Sequence, residues 1–171
     1  MNERDLNKLL LDNEFLNRKI KNYIDKKLLT KQEPHKIESG EHAVKADHNL
    51  NFAKNNINTY SDWAIVGCYY ALYHIALALI LKKGFSSKNH DATLCVLIKY
   101  YYKKHLTEED IMLLNEIYLD NQDILFYVQA KQEREKAAYS SKIFLDEKKT
   151  KELHLKTVLF VSKCKKILED S

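Results

Sequence analysis

The chain is poor in the residues that end helices. It has three glycines and one proline among 171 residues. Turns must therefore be few, and the elements between them long. The same scarcity excludes a dinucleotide-binding fold, which needs a glycine-rich phosphate loop. Other familiar catalytic signatures are also absent: there is no H-E-x-x-H, no G-x-S-x-G and no EF-hand loop. Cysteine is sparse. Cys68, Cys95 and Cys164 are far apart, odd in number, and each lies in an apolar stretch where a free thiol packs as a small hydrophobe. No disulfide framework is expected, and a cytoplasmic location is. Neither sign of charge dominates. Lys and Arg total 28 against 24 Asp and Glu, a formal +4. That excess permits salt-sensitive contact with nucleic acid without demanding it. His42 and His48 are six apart and do not share a helical face, so no metal site and no cofactor are expected. The opening residues MNERD are charged, and no export signal is expected from them.

What is present is apolar residue at helical spacing. Hydrophobic residues make up 45% of the chain, enough for a substantial core. The 3.6-residue period runs nearly throughout, with no internal repeat and no low-complexity linker. It predicts a first helix over 3–29, with Leu6, Leu9, Leu16, Ile20 and Tyr23 on its apolar side. Residues 31–39 read as a polar connector around Pro34. A second helix over 41–57 carries the stripe Ala43, Ala46, Leu50, Ala53 and Ile57.

A third helix is expected to start on Ser61 as N-cap and to end at Lys82-Lys83, with Gly84 just beyond. Its stretch 64–81 holds eighteen residues without a formal charge, the lower limit for a membrane span. Tyr69, Tyr70, Tyr73 and His74 sit in the middle, where lipid would meet polar tips, so a buried core helix is the reading. Ala64, Gly67 and Ala71 share one face and invite a close helical neighbour. A fourth helix covers 90–104. Thr107 with Asp110 resembles a capping box opening a helical pattern to about residue 138. Unbroken, that pattern would span ~45–50 Å, so a bend is expected. A last helix over 146–169 has Leu153, Phe160, Cys164 and Leu168 on its core side. The fold class is therefore all-α: an up-and-down bundle over 40–171, with an N-terminal helical arm and connector over 1–39.

Two segments carry a family resemblance. One reads SDWAIVGCYYALYHIALALILKKGF from Ser61, with SSKNHDATLCVL following. It contains Tyr69-Tyr70-Ala71, then Lys83-Gly84, then Asn89-His90. The other is QEREKAAYSS, residues 132–141. Together with the preceding helix HAVKADHNLNFAKNNI they resemble the HEPN family over residues 40–168. The resemblance implies a helical bundle that dimerises. It also implies a possible pairing with a minimal nucleotidyltransferase, as in toxin–antitoxin systems. Some members are metal-independent ribonucleases whose motif is an arginine, four to six residues, then a histidine. Arginine suits phosphate, and histidine suits proton transfer near neutral pH.

Here the arginine is Arg134, and the histidine slots hold Tyr139, Ser140 and Ser141. An ordinary tyrosine titrates near pH ~10, too high for an easy base. Residues five apart on a regular helix also point ~140° apart, so Arg134 and Tyr139 share a site only at a helix break or across two subunits. The expected role is thus a nucleic-acid- or nucleotide-binding homodimer, with Arg134 on phosphate and Tyr139 beside it. RNA is the expected ligand class, and no membrane association is expected. Two alternatives stand. One is an endoribonuclease that uses His90 or His105 as its base. The other is a purely structural dimer, in which Arg134 is solvated, Tyr139 caps the bundle, His90 only starts a helix, His74 is a core histidine, and the Tyr69–Tyr70–Tyr73 cluster packs the core and the dimer seam.

Overall fold

Residues 1–118 and 147–170 are described in the computed structural model, and within them the chain is a bundle of α-helices with a single two-stranded ribbon. The first departure from expectation comes at Asp12. It is extended, with φ −118° and ψ 98°, and its carboxylate accepts the Phe15 N–H at 2.9 Å. A short polar side chain bonding its own backbone competes with helix continuation and favours a new N-cap. The expected 3–29 helix is therefore two helices, α1 (Glu3–Leu11) and α2 (Asn13–Asp25). The chain then turns through Lys27, whose φ of 57° is left-handed, into strand β1 (Leu29–Lys31).

Strand β1 pairs antiparallel with β2 (Phe85–Ser87), with Leu29 opposite Ser87 and Lys31 opposite Phe85. Two three-residue strands too short to show a period replace what the sequence reads as connectors. Gly84 precedes β2 at φ +75°, and a Cβ there would lie 2.4 Å from the Gln32 carbonyl oxygen. Only glycine fits both the dihedral and the approach.

Helix α3 (Lys36–Asn56) starts earlier than expected because the His35 ring accepts the Glu38 N–H at 3.1 Å and caps it. The 39/40 boundary thus falls inside a helix. Leu6, Leu9, Leu16, Ile20 and Leu29 join the same hydrophobic core as the rest of the bundle.

Helix α4 (Ser61–Lys82) is the central rod, and its apolar stretch is 83% buried inside the bundle. Ser61 is its first helical residue rather than its cap. Tyr60 holds the cap position without a side-chain bond, and Asp62 serves the first turn by accepting the Trp63 N–H. The C-terminal end is as expected: the N–H groups of Lys83 and Gly84 return to the carbonyls of Ile80 and Leu81. The small face is also as expected. A Cβ on Gly67 would meet the Ala53 Cβ at 3.0 Å and the Asn49 carbonyl oxygen at 3.1 Å, so α3 runs hard against α4 there.

Helix α5 (His90–Tyr101) is capped by Asn89, which accepts the Ala92 N–H at 2.9 Å. It stops at Tyr101 instead of continuing to 104. The left-handed Lys103 (φ 64°) turns the chain, and the N–H groups of His105 and Leu106 close back on the Tyr101 carbonyl. The Tyr101 hydroxyl donates to the Leu79 carbonyl at 2.8 Å in the core, tying α5 to α4. The Thr107–Asp110 box forms as anticipated, with the Thr107 N–H on the Asp110 carboxylate at 2.8 Å. It opens helix α6, helical over 108–118. Helix α7 (Glu147–Glu169) lays Phe160, Val161, Cys164 and Ile167 into the core. Two ion pairs of 2.6 Å hold it in place, Lys163 to Asp110 and Lys165 to Asp47. Cys68, Cys95 and Cys164 are buried free thiols.

Candidate functional site

Arg134 and Tyr139, the expected phosphate-binding pair, lie outside the described residues, as do Ser140 and Ser141. Two other expected candidates, His90 and His105, are described and have opposite surroundings. His105 is exposed in the turn after α5, with its ring 6.2 Å from that of Tyr101. His90 is the first residue of α5, as a helix-start reading requires, but its side chain turns into an aromatic nest. Its ring stacks on Tyr118 of α6 at 4.3 Å between centroids and meets the rings of Tyr69 and Tyr73 edge to face. Its Nε2 lies 3.0 Å from the Tyr69 hydroxyl, and its Nδ1 is buried with no hydrogen-bond partner.

Burial is the main force on this nest. It pushes the His90 pKa down against the opposing pull of Asp91, so the ring is neutral at physiological pH. It pushes the Tyr69 and Tyr118 hydroxyls up, Tyr118 well above the ordinary range. No tyrosine in the nest is a neutral-pH base. With one nitrogen engaged and the other buried, His90 offers no free nitrogen to an incoming substrate.

Farther along α4 is an arrangement that the sequence reading missed. His74 meets His42 of α3, Nδ1 to Nδ1 at 2.9 Å, with ring centroids 5.0 Å apart. His42 had been weighed only against His48 on its own helix, whereas its partner lies across the α3–α4 seam. A signal was present. Ala64, Gly67, Ala71 and His74 follow one another at spacings of three and four, so His74 continues the small-residue stripe already expected to face a neighbour. On α3, His42 precedes the buried Ala46 by one turn. Just beyond the pair, the Ser39 hydroxyl donates to the Ala78 carbonyl at 2.8 Å, fixing the antiparallel register.

Both rings are half-buried and both pKa values are lowered. His74 falls to about 4 through burial first, then through His42 and Lys45. His42 falls through burial and Lys45, with Glu38 and Glu41 pulling the other way. Both imidazoles are therefore neutral near pH ~7, and one Nδ1 donates to the other. Around them α4 comes to the surface. Tyr70 is 36% exposed, Tyr73 is half-buried, and their rings lie 6.4 and 5.5 Å from that of His74. The result is an aromatic and imidazole ridge with the cationic Lys45 close by, on a helix otherwise enclosed. Such a surface can stack planar groups and offer neutral nitrogen donors. Among the described residues, no three or more His, Cys, Asp or Glu side chains group as metal ligands. The chain matches no family model and no curated protein.

Proposed function

We propose that the chain is a HEPN-type cytoplasmic homodimer that binds RNA or a nucleotide, lacks the ribonuclease chemistry of the family's active members, and works beside a minimal nucleotidyltransferase. The observation that carries the non-catalytic part is the sequestration of His90: Nε2 on the Tyr69 hydroxyl, Nδ1 buried, ring pressed on Tyr118. A base must reach the proton it removes, and this histidine faces inward. The slots that hold histidine in active relatives contain Tyr139, Ser140 and Ser141, which leaves Arg134 as a phosphate anchor. The binding part is supported by the uncovered ridge of Tyr70, Tyr73 and His74 with Lys45 beside it, since aromatic faces stack bases without sequence preference.

The test uses the purified full chain with a mixed RNA pool and metal chelated. Light scattering should give a dimer mass. The pool should stay intact, while labelled RNA binds with an affinity that falls as salt rises. Arg134→Ala and Tyr70→Ala should each weaken that binding, and Tyr139→Phe should leave it unchanged. Cleavage by the parent that disappears in Arg134→Ala would overturn the reading and make the chain an endoribonuclease with another base. His105 would then be the first candidate, because it is exposed.

A further inference from the structure

We propose that His42 and His74 form a two-histidine site for a first-row transition-metal ion of the Zn²⁺ class at the α3–α4 seam. The proposal is independent of the RNA-binding reading. It starts from convergence: two Nδ1 atoms from different helices point at each other at 2.9 Å. Zinc binds imidazole nitrogen at ~2.0–2.1 Å, and a tetrahedral angle between two such bonds puts the nitrogens ~3.3 Å apart. Admitting the ion requires the pair to part by ~0.4 Å, which small side-chain rotations supply.

The helices behind the rings are not free to drift. The Ser39–Ala78 hydrogen bond pins the seam on one side, and the Gly67–Ala53 contact pins it on the other. Two ligands held at fixed separation lose little freedom on binding an ion. The protonation state also fits. A metal takes the neutral ring through its lone pair, and burial keeps both rings neutral. An acid–base pair would instead need one ring charged, which Lys45 opposes from α3.

Imidazole is a good ligand for zinc, copper and nickel and a poor one for magnesium or calcium. The charged groups facing the site are Lys45, which repels a cation, and Glu38 and Glu41, which attract one. From α4 the neighbours are the neutral Tyr70 and Tyr73. Because both rings are half-exposed, the remaining coordination positions open to water or to an oxygen or nitrogen of a bound ligand, the geometry of an open rather than a closed site.

The experiment adds Zn²⁺ to the full chain labelled with nitrogen-15 at histidine. Of the seven histidines, His42 and His74 should be the two whose imidazole signals move, saturating at one ion per chain with micromolar affinity. Calorimetry should then show His42→Asn and His74→Asn each weakening uptake at least about tenfold, since loss of an outer hydrogen-bond partner alone costs about 10–100-fold. His48→Asn should match the parent. No uptake by the parent, uptake retained in both variants, or shifts confined to other histidines would each overturn the proposal. If a variant does not fold, the signals of the parent decide.

Discussion

Helices α3 and α4 lie antiparallel, side by side, and are nearly equal in length, yet their environments are opposite. Along α3 only Ser39, Ala46 and Ala53 are buried. Along α4 the buried residues run almost without interruption from Asp62 to Leu81, broken at Tyr70, Tyr73 and His74. The contrast shows how an uncharged helix of membrane-spanning length becomes the axis of a bundle. A polar helix covers one side while touching it only through alanines and a serine, and α7 packs its core face on another. Small residues let the backbones approach. The polar remainder of α3 then faces water, which lipid would not satisfy.

The sharpest way to break this contrast is to truncate the axis. Ile75→Ala, at a fully buried position of α4, should destabilise the protein by about 2–5 kcal/mol in denaturant unfolding. A change below about 1 kcal/mol would mean that the core around α4 is loosely packed. Next comes the seam. Gly67→Leu should cost about 1–3 kcal/mol, because Asn49 backbone and the Ala53 side chain leave no room for it. A melting temperature equal to the parent's would show that α3 yields there.

The third prediction concerns pH. His42, His74 and His90 are all depressed in the folded protein, His74 to about 4. Unfolded histidines titrate near pH ~6.5. Between these values the unfolded chain binds more protons than the folded one, so stability falls as pH drops from about 6.5 toward about 4. Thermal unfolding from pH ~7 to ~5 should therefore fall more steeply for the parent than for His74→Asn. Parallel curves would remove His74 from the account. The smallest effect belongs to the solvent side of α3. Val44→Ala, at a position 69% exposed, should change stability by no more than about 0.5 kcal/mol. A larger loss would mean that this face is covered in solution.

Much of the architecture was legible because it is written locally. The Thr107–Asp110 box, the lysine–glycine end of α4 and the Gly67 face all depend on residues within a turn or two of one another, and all appear in the structure. Where a local rule failed, a local competitor won. Asp12 capped a second helix inside the expected first one, and the His35 ring started α3 one turn early. The candidate site was less legible. His90 was identifiable as a helix-start residue, but its burial against Tyr118 was not, because that contact joins two helices.

By itself, then, the sequence determined the helical class, the apolar axis from Ser61 to Lys82, its small-residue face and the free state of its cysteines. Each follows from composition or from periodicity within a single segment. Tertiary structure alone decided three things: the β1–β2 ribbon, the inward turn of His90, and the meeting of His42 with His74 across 32 positions of chain. Those contacts depend on the register between elements, which is set by how closely whole helices pack. A spacing rule acting along one helix holds no information about the residue facing it from the next.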